Sequence, residues 1–234
     1  MELQAEIEKI KKLGESAKTT DIDKEIAVLQ EKVNRNTEFM IQEKTVDHFL
    51  INAERQAEWQ NRQSEGLNKN RFTKIFKTKE EARKYLLKNY PEQFGKFKNM
   101  LEGGYGTNVQ MIGPDGEVIA YNFAIEEHVI DGIRKGDLMA GNVINHEQAH
   151  DNLSTFSTEE LKSIRLNVLE ELEASKDPQM QRVLTLMRAK LKSYTKKKGT
   201  RNEHEEFFTE MSDAFHALNM MNLSVDGNTT LSFL

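Results

Sequence analysis

Two histidines four residues apart, with a glutamate directly after the first, constrain this chain more than any other feature. They belong to the segment His146-Glu147-Gln148-Ala149-His150. On an α-helix, positions i and i+4 lie on the same face one turn apart, so both imidazoles point the same way with the Glu147 carboxylate beside them. Imidazole is a common zinc ligand, and a neighbouring carboxylate can serve as a general base. The segment therefore predicts a helix that carries two metal ligands and a base.

A catalytic zinc takes three protein ligands and leaves its fourth position to water, so a third donor is needed. The chain has no cysteine, which leaves histidine and carboxylate as donors. The stretch 202–215 offers carboxylates: on a helix Glu206, Glu210 and Asp213 share one face, and apolar residues share another. We expect one carboxylate of this stretch to bind the metal and a neighbour one turn on to orient a histidine. If Glu206 is not the ligand, Glu205, Glu210 and His204 are the alternatives.

The composition narrows the class of protein. The net charge of −5 disfavours general nucleic-acid binding, which needs a basic surface. No window approaches 18 apolar residues, so the sequence predicts no membrane span. The first residues have neither the basic region nor the apolar core of a secretory signal. We expect a protein that stays in the cytoplasm, or that is packaged or exported by another route.

Residues 1–70 are expected to form a helical arm, and residues 71–234 the domain with the metal site. Apolar residues recur in the arm at intervals of three and four on a charged helix, and the seam is interrupted at 34–36. Its members are Leu3, Ile7, Ile10, Leu13, Ile22, Ile26, Leu29 and Val33. So narrow a seam suits a helical hairpin or a coiled coil, formed with a protein partner or a second copy. Packing of these helices on the rest of the chain is the alternative.

One stretch has a clear strand pattern. Residues 109–112 and 117–125 alternate around a Gly-Pro-Asp-Gly turn, which predicts a β-hairpin directly upstream of the metal helix. Capping signals place helices around it: Thr78 with Glu81, Ser157 with Glu160, and Asp177 with Pro178. The last two open helices at 157–174 and 178–191, which we expect to close one side of a cleft. The predicted fold class is α+β and mostly helical.

The two motifs together resemble those of the zincin metallopeptidases whose third ligand is a glutamate. They are most similar to the anthrax lethal factor and Pro-Pro endopeptidase group, whose second helix carries a Glu-Phe-Phe-Ala-Glu type motif. Here the matching segment runs from Glu206 through Phe-Phe-Thr to Glu210. The resemblance implies a zincin-like domain in which His146, His150 and Glu206 bind Zn²⁺, Glu147 is the general base, and Glu210 supports the ligands. It also implies that an extended substrate adds to an edge strand over the metal.

The chain departs from this group at one position. The group has a tyrosine seven residues before the ligand glutamate, and this chain has Gly199 there. Tyr194 and His204 are the candidates to take over the role of that tyrosine in stabilising the transition state.

The sequence therefore predicts a zinc-dependent endopeptidase that acts on a protein or peptide substrate. The main alternative is a zincin-fold structural or binding protein with little or no activity, which works through its helical arm in a larger assembly. A toxin or packaged effector peptidase is a third reading. The basic residues at 190–201 are expected to be a solvated helix end, with recognition of an acidic substrate as the alternative.

Overall fold

The computed structural model describes residues 19–63, 71–112, 116, 118–191 and 200–226. The predicted first helix of the arm, Gly199 and the candidate Tyr194 lie outside these residues. The described elements, in chain order, are α1 (Thr19–Gln63), β1 (Arg71–Phe76), α2 (Lys79–Asn89), α3 (Lys98–Leu101), β2 (Gly106–Ile112), β3 (Val118–Ile125), α4 (Glu126–Arg134), α5 (Val143–Leu153), α6 (Thr158–Ala174), α7 (Pro178–Leu191) and α8 (Arg201–Asp226). Short 3₁₀ helices precede α3 (Phe94–Phe97) and α5 (Leu138–Asn142). The prediction of a mostly helical α+β chain is confirmed.

The sheet has three strands in the order β1-β3-β2. β2 and β3 form the predicted antiparallel hairpin, although β2 begins at Gly106, earlier than the alternation suggested. β1 runs parallel to β3 and was not predicted, because no element was assigned to its short Arg-Phe-Thr-Lys-Ile-Phe stretch, which directly follows the predicted boundary of the arm. Among the described residues no strand pairs with the other edge of β2, so the hairpin leaves that edge open.

The arm is one continuous helix from residue 19 to residue 63, without the interruption expected at 34–36. Asparagine costs a helix only a few tenths of a kcal/mol relative to the common helix formers, so three polar residues do not end it. In the second half of α1, Val46 and Phe49 are buried in the same core as the metal helix. In its first half, Val28, Phe39 and Met40 are more than half exposed. The domain boundary at residue 70 stays a prediction.

Two apolar cores lie on opposite faces of the sheet. One fills the space between the sheet and α2 and α3, around Phe76, Leu86 and Phe97. The other is larger and joins α1, α4, α5, α7 and α8. Neighbouring residues of β3 face the two cores alternately, with Phe123 in the first core and Ala124 in the second. This arrangement holds α5 between the sheet and α8, which positions the candidate site.

The predicted helix starts after residues 78, 157 and 177 are confirmed. The Thr78 hydroxyl accepts a hydrogen bond from the Glu81 amide at 3.2 Å, and Ser157 and Glu160 form a complete capping box. The Asp177 carboxylate accepts from the Gln179 amide at 2.8 Å. No helix in the described part of the chain is long and apolar enough to cross a membrane.

Candidate metal centre

Helices α5 and α8 bring together the three ligands that the sequence predicted. His146 and His150 lie one turn apart on α5, and Glu206 lies on α8. One donor atom from each residue lies within 4.8 Å of the other two. Nε2 of His146 is 3.7 Å from Oε2 of Glu206. Bonds of about 2.1 Å in a tetrahedral zinc site place the donors about 3.4 Å apart, so this set fits the ion with a small adjustment.

A carboxylate contacts the His146 ring at Nδ1. Its Nδ1 is 2.7 Å from Oδ2 of Asp213, and Oδ1 of Asp213 accepts a hydrogen bond from the Asn142 amide, also at 2.7 Å. This contact turns Nε2 towards Glu206, and a histidine that binds a metal usually has such a carboxylate at its other ring nitrogen. Burial lowers the pKa of His146, but the hydrogen bond and charge of Asp213 outweigh burial and raise the pKa to about 9.

The His150 ring is supported in the same way from the other end of α5. Its Nδ1 lies 3.5 Å from Oε2 of Glu205, and the other oxygen of Glu205 accepts a hydrogen bond from Nε of Arg201 at 2.7 Å. Burial raises the pKa of the Glu205 carboxyl, but its contacts with His150 and Arg201 more than offset burial, so the pKa is lowered. Glu205 therefore faces His150 as an anion.

The ligand glutamate is oriented by its own helix. The side-chain amide of Asn202 donates to Oε1 of Glu206 at 2.9 Å. Asn202 lies one turn before Glu206 on α8, so this contact is local. It directs Oε1 of Glu206 towards Asn202 and places Oε2 near His146.

Glu147, the candidate base, is buried beside the two histidines, with 8% of its surface exposed. Burial raises the pKa of its carboxyl to about 7, against the opposing effect of His146 and His150. Strand β2 starts directly against it: a Cβ on Gly106 would lie 2.8 Å from Oε1 of Glu147. The strand can approach the carboxylate this closely only because residue 106 is glycine.

Asp151, the residue after His150, clamps the metal helix to the sheet. Its two oxygens accept hydrogen bonds from the side-chain amides of Asn108 on β2, at 2.6 Å, and Asn122 on β3, at 3.0 Å. The side-chain amide of Asn108 also donates a hydrogen bond to Oδ1 of Asn122 at 2.6 Å. Asp151 and Asn152 are polar residues, a pattern that is typical of the end of a motif. Instead the helix continues to Leu153, and Asp151 is buried.

The metal cluster opens into a cleft of about 700 Å³. The cleft runs between the start of β2 and the first turns of α8, and its lining includes Asn99, Gly106, Thr107, Asn108, Gln110, Ser154, Arg201 and Asn202. A smaller cavity of about 260 Å³ is also lined by His146 and Glu147, together with Tyr105, Val143 and Lys190. His146 and Glu147 therefore line both cavities.

Two other candidates from the sequence are not part of the three-residue cluster. His204 is buried against Arg165 of α6, with Nδ1 3.1 Å from the guanidinium. It is two residues from Glu206, which is about 200° around the helix, so it faces away from the cleft. Glu210 is buried and lines the smaller cavity, while the contact with His146 is made by Asp213.

The structure describes two of the basic residues at 190–201, Lys190 at the end of α7 and Arg201 at the start of α8, and each contacts a carboxylate. Lys190 contacts Asp137 at 2.6 Å, and Arg201 contacts Glu205. Residues 192–199 lie outside the described part of the chain.

Several supporting residues were missed because their roles depend on tertiary contacts. These are Gly106, Asn108, Asn122, Asn142, Asp151 and Arg201. Glu205 was considered only as an alternative ligand. The i, i+4 spacing of Arg201 and Glu205 is the one local signal that could have indicated their ion pair.

A comparison of the chain with protein-family models, with curated proteins and with solved structures finds no match.

Proposed function

We propose that this protein is a zinc-dependent endopeptidase of the zincin type. The observation that carries the proposal is the convergence of His146, His150 and Glu206 at a spacing suited to tetrahedral coordination, with the Glu147 carboxylate beside them. The donor set of two imidazoles and one carboxylate is that of catalytic rather than structural zinc sites, which close the fourth position with another side chain. The resemblance of the two sequence motifs to the zincins supports the same assignment.

The supporting contacts suit a zinc ion rather than a chance group of polar residues. Each histidine has a carboxylate near Nδ1, which leaves Nε2 as the ring atom available to a metal ion. When bound there, zinc would lower the pKa of a coordinated water towards about 7 and polarise the carbonyl of a peptide.

Glu147 would then move the proton. Its carboxylate takes a proton from the attacking water while the water oxygen forms a bond to the carbonyl carbon. When the carbon–nitrogen bond breaks, Glu147 delivers this proton to the leaving amine. Burial of the Glu147 carboxyl raises its pKa and so favours proton uptake, which suits a group that accepts a proton and then delivers it.

The open edge of β2 supports a peptide as the substrate. Thr107 and Gln110 of this strand line the cleft next to the metal cluster. An extended peptide can add to such an edge through backbone hydrogen bonds, and its carbonyl groups would then run past Glu147.

Two variants test the proposal. Glu147→Gln should retain one zinc per chain and lose turnover by about 10²–10⁴-fold, because the amide cannot accept the proton. His146→Ala should lose both zinc and turnover. Zinc is measured by elemental analysis, and turnover by cleavage of a mixture of denatured proteins. Glu203→Gln is the control and should keep both properties, because Glu203 pairs with Arg165 of α6 and does not line the cleft. Full activity of Glu147→Gln would show that the assigned mechanism is wrong.

A second candidate function is a zincin-fold binding protein that works through its helical arm. It is favoured by the exposed apolar side chains Val28, Phe39 and Met40 on the first half of α1. Stoichiometric zinc in the wild type without cleavage of any denatured protein would support this candidate against the peptidase.

A further inference from the structure

Arg201, the first residue of α8, makes contacts in three directions. Its Nη2 donates to the backbone carbonyl of Leu153 at 2.9 Å, and its Nη1 donates to the carbonyl of Phe156 at 2.6 Å. Its Nε donates to Oε1 of Glu205 at 2.7 Å. The guanidinium therefore joins the end of the metal helix, the turn that follows it and the helix that carries the third ligand.

One of the two carbonyl contacts is made to the C-terminal end of the metal helix. The last carbonyls of a helix have no partner within the helix, and they form its negative end. Leu153 is the last residue of α5, three positions after His150. A planar guanidinium, with its donors in a fixed fork, can bind these carbonyls and a carboxylate at the same time, whereas the ammonium group of lysine has no such fixed geometry.

The contact with Glu205 connects Arg201 to the proposed metal ligand His150. The second oxygen of Glu205 lies 3.5 Å from Nδ1 of His150. The series Arg201–Glu205–His150 thus matches the series Asn142–Asp213–His146 at the other end of α5. Each ligand histidine is backed by a carboxylate, and each carboxylate is held by a donor from a helix terminus.

We propose that Arg201 is a positioning residue of the metal centre, which acts on His150 through Glu205. The proposal rests on the metal binding proposed above. Arg201 fixes the Glu205 carboxylate, Glu205 fixes Nδ1 of His150, and Nε2 of His150 is thereby directed into the cleft. Because Arg201 also binds Leu153 and Phe156, the same side chain sets the end of α5 relative to α8.

The chain offers a matched control in a second ion pair, in which Arg165 of α6 contacts Glu203 on the face of α8 opposite Glu205. Arg165 and Glu203 form an ion pair of 3.0 Å with side-chain exposures of 20% and 18%. The corresponding exposures of Arg201 and Glu205 are 36% and 16%. The two carboxylates are buried to the same extent, so a loss of general stability should affect both pairs alike.

Two variants, Glu205→Leu and Arg201→Lys, are compared with the controls Glu203→Leu and Arg165→Lys. The first measurement is ¹⁵N NMR of the imidazoles in the metal-free protein at pH 8. The wild type and both controls should show His150 protonated at Nδ1, and Glu205→Leu should lose this tautomer. The second measurement is the dissociation constant for zinc, determined by competition with a chelator. It should rise about 10–100-fold in Glu205→Leu and Arg201→Lys, and less than about twofold in the controls.

These readouts separate the inference from the proposed function. If the wild type binds zinc but the two variants match their controls in both measurements, the positioning role is overturned and the metal centre stands. If the wild type binds no zinc while Glu205→Leu alone loses the tautomer, the metal function fails and the orientation of His150 by Glu205 stands. Should Arg201→Lys fail to fold, Glu205→Leu still decides the role of the carboxylate.

Discussion

The contact between Gly106 and Glu147 leads to a specific prediction for Gly106→Ala. The added Cβ would lie 2.8 Å from Oε1 of Glu147, 2.8 Å from Cγ2 of Val143 and 2.9 Å from the backbone oxygen of Phe123. The φ angle of Gly106 is not positive, so alanine meets no strain from the backbone conformation itself. The whole effect is therefore steric and acts at the start of the edge strand.

The size of the effect follows from these distances. Ordinary contact begins at 3.4 Å, so the Cβ needs about 0.6 Å more room from the Glu147 carboxylate. Overpacking of this kind costs about 1–3 kcal/mol of folding stability. A displacement of about 1 Å in a catalytic group can lower a rate about 10²-fold, so we expect the turnover of Gly106→Ala to fall about 10- to 100-fold. None of the three atoms nearest to the added Cβ belongs to a proposed zinc ligand, so zinc content should stay at one per chain.

The assay combines cleavage of denatured protein, elemental analysis and thermal unfolding. Gly95→Ala is the control, because a Cβ at Gly95 has no atom within 4 Å and the backbone there also has no positive φ. Turnover and unfolding temperature of Gly106→Ala equal to those of Gly95→Ala would refute the close approach of β2 to the base.

Three further predictions concern stability. Removing bound zinc with a chelator should lower the unfolding temperature by about 5–10 °C when the ion is present at 100 times its dissociation constant. Asp151→Ala should cost about 3 kcal/mol in urea unfolding, because the amides of Asn108 and Asn122 lose their acceptor. Burial and the neighbouring His48 lower the pKa of His216 to about 4, so the folded state favours its neutral form. Above pH 6.5 His216 is neutral in both the folded and the unfolded state, and its full contribution to the free energy of unfolding is present. As the pH falls from 6.5 to 4, only the unfolded state takes up the proton readily, so the free energy of unfolding falls by up to about 3 kcal/mol. His216→Gln should remove that part of the pH dependence.

Each of these has its own control. The chelator should leave the unfolding temperature of His150→Ala unchanged, and an equal shift in that variant would point to a different effect of the chelator. Asn152 is the exposed neighbour of Asp151, and Asn152→Ala should change the free energy of unfolding by less than about 0.5 kcal/mol. A similar cost at both positions would argue against the role of Asp151 in holding α5 to the sheet. If His216→Gln loses as much stability on acidification as the wild type, other groups cause the loss.

The sequence by itself determined the features that depend on near neighbours. Helix starts at Ser157 and Thr78 were predictable because a cap involves residues three positions apart. The placement of His146 and His150 on one face follows from the helix period alone. The β2–β3 hairpin was predictable because its strands are joined by a short turn.

The tertiary structure decided everything that depends on how separate elements meet. β1 pairs with β3 across a separation of 49 positions, Arg71 opposite Ala120, so no local pattern indicates the pairing. The choice of Asp213 over Glu210 as the partner of His146 depends on the rotation of α8 against α5, which is set by the packing of Phe207 and Ala214 in the core. A helix period shows which residues share a face, but only packing shows what that face meets. For this reason the sequence could name His146, His150 and Glu206 as candidate ligands and Glu147 as a candidate base, whereas only the fold showed that the three candidate ligands converge, which carboxylates contact the histidines and which strand lies beside Glu147.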